Sequence, residues 1–186
     1  MEAVEQARRN VADLHWLATL LTGCQETATE VTFQALGPAD DTNAFFSNWM
    51  DAWARRLVIA KALAAVRDDL AQSARRTALR HSQKTGLPPR SWMLDGDTDR
   101  SDLERALLPI DVFPRAAVLL VLFERVSLTD VAVLLDSEPN LVRKAVAIGA
   151  RDLTINLAAM QGWKSERAGF STNCEEHDVR STEIPS

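Results

Sequence analysis

Four polar residues near the C-terminal end of the sequence have the types and spacing of a surface that binds nucleic acid. Asn140, Arg143, Lys144 and Arg151 fall within about three turns of one helical pattern, away from its apolar stripe. Arginine and lysine bind phosphates, and arginine and asparagine also bind base edges through paired hydrogen bonds. The alternative is an ordinary solvated helix face, because three basic residues in a helix of this length are common. The pattern predicts a DNA contact, with the solvated face as its alternative.

A second group of basic residues lies in the middle of the chain. Residues 55–90, called the basic block below, contain nine Lys or Arg and two Asp, whereas residues 1–54 contain two Arg and eight Asp or Glu. The net charge of −5 argues weakly against nucleic-acid binding, so its distribution matters more. We expect Arg55, Arg56 and Lys61 to bind nucleic acid, because further cations continue the positive charge along the block.

Trp49 and Trp53 stand one helical turn apart beside these cations. Tryptophans could stack on unpaired bases, an interaction that tolerates any sequence and is supported by nearby arginines. Phe46, Met50 and Leu57, however, extend the same side of the helical pattern, which is typical of a buried stripe. We therefore predict that both tryptophans belong to the core.

Residues that could support catalysis or hold a metal do not form a motif. The three histidines lie far apart, and Cys174 with His177 makes only half of a zinc site. Asp95, Asp97 and Asp99 resemble the start of a calcium loop, but the glycine and glutamate that such a loop needs are absent. No glycine-rich phosphate loop occurs. We expect a protein that is not an enzyme and that carries no cofactor and no metal.

The helical pattern that holds Asn140 and Arg143 belongs to a pair of helices within residues 127–157. Ser127 can cap the first helix, which is short and has an apolar face. The segment 136–140 reads DSEPN and is rich in capping residues, and a longer helix follows it. The inward stripe of this second helix consists of Val142, Ala145, Val146, Gly149 and Leu153. The spacing predicts a helix-turn-helix, whose second helix enters a major groove.

Apolar residues at helical spacing recur along most of the sequence, and no alternating run is long enough to predict a strand. The patterns predict helices at 2–21, 25–36, about 45–81 with a break at Asp68-Asp69, 103–110 and 114–125. We expect an all-α protein with two small helical domains joined by a linker. The predicted boundaries are a first domain at 1–81, a linker at 82–102, a helix-turn-helix domain at 103–160 and a disordered tail at 161–186.

The expected cellular compartment is inferred from signal, membrane-spanning and disulfide patterns that are absent from the sequence. Its first residues have no apolar signal core, and its longest apolar run is too short to span a membrane. Two cysteines without a spaced pattern suit a reducing environment. We therefore expect a cytoplasmic protein that makes no contact with a membrane.

The order of these elements resembles a bacterial RNA polymerase sigma factor of the small, extracytoplasmic-function type. Residues 103–120, LERALLPIDVFPRAAVLL, resemble the opening helices of the family's C-terminal region, with Arg115 before the aliphatic run. In the N-terminal half, residues 17–23, LATLLTG, and residues 45–63, FFSNWMDAWARRLVIAKAL, resemble the start and the tryptophan helix of the family's other conserved region. The resemblance covers most of the chain.

The resemblance implies a transcription initiation protein that binds the RNA polymerase core through its first domain and promoter DNA through both domains. It implies that Glu26 and Glu30 lie on the helix that docks on the polymerase, and that an anti-sigma-like regulator is a further partner. The alternative is a sigma-derived interaction module or regulator that has lost DNA binding. Two features favour this alternative. Asp68 and Asp69 lower the density of basic residues after the tryptophan helix, and Ile148 stands where the family has a basic residue.

Overall fold

The computed structural model describes residues 2–36, 47–80, 87 and 98–162, and every regular element within these ranges is helical. The helices are α1 (Glu2–Thr22), α2 (Gln25–Leu36), α3 (Ser47–Ala65), α4 (Arg67–Leu79), α5 (Arg100–Leu107), α6 (Val112–Val118), a π-helical turn (Leu119–Phe123), α7 (Leu128–Leu134) and α8 (Pro139–Met160). The predicted all-α class is confirmed for this part of the chain. None of the described helices combines the length and the apolar character that a membrane crossing requires.

Local sequence explains where several helices begin and end. α1 and α2 agree with the predicted ranges to within one residue. The break in the long middle pattern falls at Val66, before the predicted position, and places Asp68 and Asp69 in the first turn of α4, where carboxylates favour the helix dipole. α5 begins three residues earlier than predicted, because the Asp99 side chain accepts a hydrogen bond from the backbone N–H of Asp102. α6 also begins two residues early and continues into the π-helical turn.

Much of the predicted linker at 82–102 and of the predicted tail at 161–186 lies outside the described residues, because the structure describes only Leu87, 98–102 and 161–162 of them. The division of the chain into two domains therefore stays a prediction. We call residues 2–80 the N-terminal half and residues 98–162 the C-terminal half.

Each half brings its helices together around buried aliphatic side chains. In the N-terminal half, α1, α2 and α3 pack against one another, with Leu17, Leu21, Val31 and Val58 among the buried residues. In the C-terminal half, the long helix α8 contacts α5, α6 and α7. Its predicted stripe is confirmed: Val142, Ala145 and Gly149 are buried, and the two other members are half-buried against the core.

The two halves share one continuous core. α4 packs against α6 and α8, and α1 packs against α6. A buried hydrogen bond joins the halves, because the backbone N–H of Phe113 donates to Ser73 Oγ at 3.0 Å and neither residue is exposed. At the surface, the Arg100 guanidinium lies 4.5 Å from the centre of the Trp16 ring, and Trp16 Nε1 donates to Glu104 Oε2 at 3.1 Å. These contacts fix α5 against α1.

Arg115 is the polar centre of the contact between the halves. Arg115 is 6% exposed, and its Nη1 donates to the carbonyl oxygens of Leu108 at 2.8 Å and Ile110 at 3.1 Å. Burial lowers the pKa of Arg115, and the nearby charge of Asp111 partly offsets this effect. The guanidinium lies against the α1–α2 corner, where Gly23 has a φ of 76° and a Cβ would lie 2.9 Å from Arg115 Nη2. The corner therefore needs glycine for two separate reasons.

Gly149 sets how closely α8 approaches α6. A Cβ added there would lie 2.6 Å from the carbonyl oxygen of Pro114 and 2.6 Å from Val118 Cγ2. A backbone oxygen cannot move aside as a flexible side chain can, so the helices would have to separate. The predicted inward position of Gly149 thus has a packing reason that the sequence pattern alone does not show.

We predict that Gly149→Ala lowers the free energy of unfolding by about 1–3 kcal/mol, the usual cost of overpacking a core. Helix propensity alone would give the opposite sign, because alanine is favoured over glycine by about 1 kcal/mol. Urea denaturation measures the difference. The control is Ala147→Gly at an exposed position of α8, which should cost about 1 kcal/mol. A Gly149→Ala protein at least as stable as wild type would contradict the packing argument.

Candidate functional site

Three local features define α7 and the turn that connects it to α8. Ser127 caps α7: its Oγ accepts a hydrogen bond from the backbone N–H of Asp130 at 3.1 Å and donates to Asp130 Oδ2 at 2.6 Å. At the other end of α7, Asp136 has a φ of 47°, in the left-handed region. The backbone N–H of Ser137 donates to the Ala132 carbonyl at 2.9 Å, which closes the helix end. α8 follows after a turn of four residues.

The first turns of α8 present two of the predicted DNA-binding residues together. Asn140 and Arg143 are exposed, and Arg143 Nη1 donates to Asn140 Oδ1 at 2.9 Å. Both lie outside the buried stripe of α8. An arginine and an amide that already share a hydrogen bond at a helix start can meet either a phosphate or a base edge.

The two other predicted residues of α8 are engaged within the molecule. Lys144 is half-buried, and its Nζ donates to the carbonyl oxygen of Ala78 in the last turn of α4 at 2.8 Å. Arg151 is half-buried and has an interaction partner within the molecule. Of the four predicted residues of α8, Asn140 and Arg143 are therefore exposed, whereas Lys144 and Arg151 each interact within the molecule.

The predicted cations of α3 have three different environments. Arg55 pairs with Glu124 through two hydrogen bonds, Nε to Oε2 at 2.5 Å and Nη2 to Oε1 at 2.6 Å, and this pairing raises the pKa of Arg55. Lys61 is half-buried, and its Nζ donates to Gln34 Oε1 of α2 at 3.4 Å. Arg56 is exposed and makes no bond to any residue that the structure describes. The structure does not bring these cations together into one surface.

Two further arginines of the basic block pair with carboxylates of the C-terminal half. Arg76 bonds both carboxylate oxygens of Asp111, at 2.9 and 2.7 Å, and Arg80 bonds both oxygens of Asp152, at 2.8 and 3.3 Å. The hydrogen bonds from Arg76 hold the pKa of Asp111 below its usual range, although partial burial acts in the opposite direction. Asp111 also caps α6 by accepting a hydrogen bond from Val112 N.

The prediction that Trp53 belongs to the core is wrong. Trp53 is 48% exposed, whereas Ala54, Val58 and Ala62 form the buried side of α3. Nearly every side of α3 carries apolar residues, so helical spacing alone could not decide which of them are buried. Trp53 and Arg56 stand one turn apart on the exposed side, an arrangement that fits stacking on a base. The side chain of Trp49 lies outside the described residues.

α2 presents an exposed surface that the sequence indicated only in part. Glu26 and Glu30, the predicted polymerase-binding residues, are both exposed. Phe33 continues the same side of α2 at the next turn and is 78% exposed. The sequence signal that could have identified this surface is Phe33 itself, a large apolar residue that falls outside the buried stripe of α2. The α2 surface, as Glu26, Glu30 and Phe33 are called below, combines two carboxylates with an aromatic ring.

Within the part of the chain that the structure describes, no three His, Cys, Asp or Glu side chains are placed to hold a metal ion. No family model, curated protein or solved structure matches the chain. Function must therefore be inferred from the surfaces described above.

Proposed function

We propose that the protein is a sigma-factor-like transcription initiation protein that binds the RNA polymerase core and promoter DNA. In this proposal the chain has two helical domains, α7 and α8 form the helix-turn-helix of the second, and α8 enters the major groove. The observation that carries the proposal is the start of α8, where Asn140 and Arg143 are exposed next to a four-residue turn whose second residue, Asp136, has a left-handed conformation. The resemblance to sigma factors in the order of elements supports the same assignment.

The α2 surface is the proposed docking site for the polymerase core. Its two carboxylates suit a basic partner, and an exposed aromatic ring is the type of residue that contributes most to protein interfaces. Phe33 adds an apolar contact to the two acidic residues that the resemblance implies, and it lies on a helix whose opposite side is buried against α1 and α3.

The second candidate function is an interaction module or regulator that has lost DNA binding. It is favoured by the engagement of Arg55, Arg76, Arg80 and Lys144 inside the molecule, which leaves fewer cations for a phosphate backbone. Under this alternative the protein binds the polymerase, or a regulator such as an anti-sigma-like protein, without touching promoter DNA.

The α2 surface gives a direct prediction for polymerase binding. Phe33→Ala should weaken capture of core RNA polymerase by about 2 kcal/mol or more, the range of an aromatic hot spot. Biolayer interferometry with immobilised core enzyme measures the affinity. Leu79→Ala is the control, because Leu79 is equally exposed but lies at the end of α4. Equal binding by both variants and wild type would exclude the α2 surface as the docking site.

The start of α8 gives the prediction that separates the two functions. With core polymerase present, duplexes are selected from a randomised pool, and binding to a selected duplex is followed by fluorescence anisotropy across a salt series. Arg143→Ala should cost about 1–3 kcal/mol and relax the sequence preference if Arg143 reads a base. If it contacts a phosphate, the log–log salt slope should flatten by about 0.9.

The charge-matched control is Arg9→Ala, which removes an exposed cation from α1. It should leave both the affinity for the selected duplex and the sequence preference unchanged. Polymerase capture without selection of any duplex sequence, together with identical DNA binding by Arg143→Ala and wild type, would exclude the transcription-initiation proposal and favour the interaction module.

A further inference from the structure

Two exposed surfaces of the chain have opposite charge, and each contains apolar side chains. The first is the α2 surface, where Glu26, Glu30 and Phe33 recur at helical spacing on a helix whose sequence contains no basic residue. Gln34 donates to one oxygen of Glu30 at 3.0 Å, so Glu30 keeps its second oxygen for a partner. This surface fits a partner that is both basic and apolar.

The second surface surrounds the ion pair of Arg55 with Glu124, which brings α3 next to the end of the π-helical turn. Residues that adjoin two bonded residues in the sequence lie close together, so they share one region of the molecular surface. Leu122 is 50% exposed and Phe123 is 42% exposed. The exposed residues of this region, called the basic apolar surface below, are Arg56, Leu122, Phe123 and Arg125.

The arginines of the basic apolar surface keep their charge free for a partner. Glu124 is already bonded by Arg55, and Asp13, the other carboxylate whose charge reaches Arg55, pairs with Arg100 at 2.6 Å. The two arginines of the surface, by contrast, make no hydrogen bond or ion pair with any residue that the structure describes. This surface therefore fits a partner that is both acidic and apolar.

Backbone hydrogen bonds hold the basic apolar surface in place before any partner binds. The N–H of Glu124 donates to the Leu119 carbonyl at 2.9 Å, and the N–H of Val126 donates to the Leu120 carbonyl at 2.9 Å. Arg125 stands between these two bonds with a φ of 55°. A surface that is already formed loses little conformational entropy on binding, which favours association even through a small area.

Leu122 favours a protein over a nucleic acid as the occupant of this surface. Leucine has no ring that could stack on a base and no charge that could bind a phosphate, whereas burial of its apolar side chain against a protein is favourable. The α2 surface has the complementary groups, with carboxylates for the two arginines and an aromatic ring for the two apolar side chains. Both surfaces are exposed, so they do not cover each other within one chain.

We propose that the protein associates with itself: the α2 surface of one copy binds the basic apolar surface of a second copy. Such an interface is heterologous because two different surfaces meet, so copies add head to tail. A copy whose α2 surface is covered cannot bind the polymerase core through it. That consequence rests on the proposed function, whereas the association itself does not.

Sedimentation velocity of the full chain, without polymerase or DNA, measures the association. A reductant is present so that the exposed Cys24 forms no disulfide between copies. The weight-average mass should rise with protein concentration up to about 500 μM, where even a weak complex is populated. The rise should be smaller when salt increases from about 50 to 500 mM, because opposite charges contribute to the contact.

Charge reversals on the two surfaces test which residues meet. Glu30→Lys and Arg125→Glu should each weaken self-association about 3- to 30-fold, because each replaces an attraction between charges with a repulsion. An equimolar mixture of the two variants should associate more strongly than either alone, because each keeps the surface that the other has lost. This rescue is expected only if the two surfaces bind each other. The controls Glu5→Lys and Arg9→Glu carry the same charge changes on exposed positions of α1 and should associate as wild type does.

Four results would overturn the proposal. The first is a chain that stays monomeric at every concentration, and the second is association that salt does not weaken. The third is equal association by the variants and their controls, and the fourth is a mixture that shows no rescue. If Arg125→Glu does not fold, Arg56→Glu on the same surface replaces it.

Binding of a single-stranded oligonucleotide by a monomeric wild type, weakened by Arg125→Glu, would assign the basic apolar surface to nucleic acid instead. Because self-association is measured without polymerase, its absence leaves the proposed function standing. Self-association without any capture of core polymerase would contradict the proposed function and support this inference.

Discussion

One buried guanidinium lies at the contact between the two halves, and the chain around it is shaped to hold a cation away from water. Arg115 bonds the carbonyl oxygens that follow α5, lies against the glycine corner of α1 and α2, and makes no ion pair with any described residue. A cation in such a place is tolerated only where carbonyl oxygens replace water and the neighbouring chain leaves room. Arg115 therefore fixes the segment after α5 against α6, beside the α1–α2 corner of the N-terminal half. The close approach of α8 at Gly149 and the bond from Phe113 to Ser73 both build on that position of α6.

The packing around α6 also determines which charged residues meet. α4 lies against α6 and α8, so its arginines meet the carboxylates of the C-terminal half, and Lys144 meets the end of α4. Asn140 and Arg143 are exposed and stay accessible. The proposed function assigns recognition of DNA to this accessible pair.

The sequence predicted the features that depend on local patterns. Helical spacing gave α1, α2 and the inward stripe of α8, and capping residues indicated the turn before α8. The exposure of Trp53 was not predictable, because apolar residues surround α3 and only the packing of neighbouring helices selects the buried side. The partners of Arg55, Arg76 and Arg80 lie 35 to 72 positions away in the sequence. The charge composition of the sequence showed only that those arginines belong to a positively charged block. Contacts between residues far apart in the sequence decide which of them a phosphate can reach.

The central claim is that the exposed start of α8 contacts DNA. Photocrosslinking tests it with benzoylphenylalanine at Ala147, an exposed position one turn beyond Arg143, and at the exposed Arg9 of α1 as the control. With core polymerase and a selected duplex present, the account predicts cross-links to DNA from position 147 and none from position 9. No cross-link from position 147, or equal cross-linking from both positions, would contradict it.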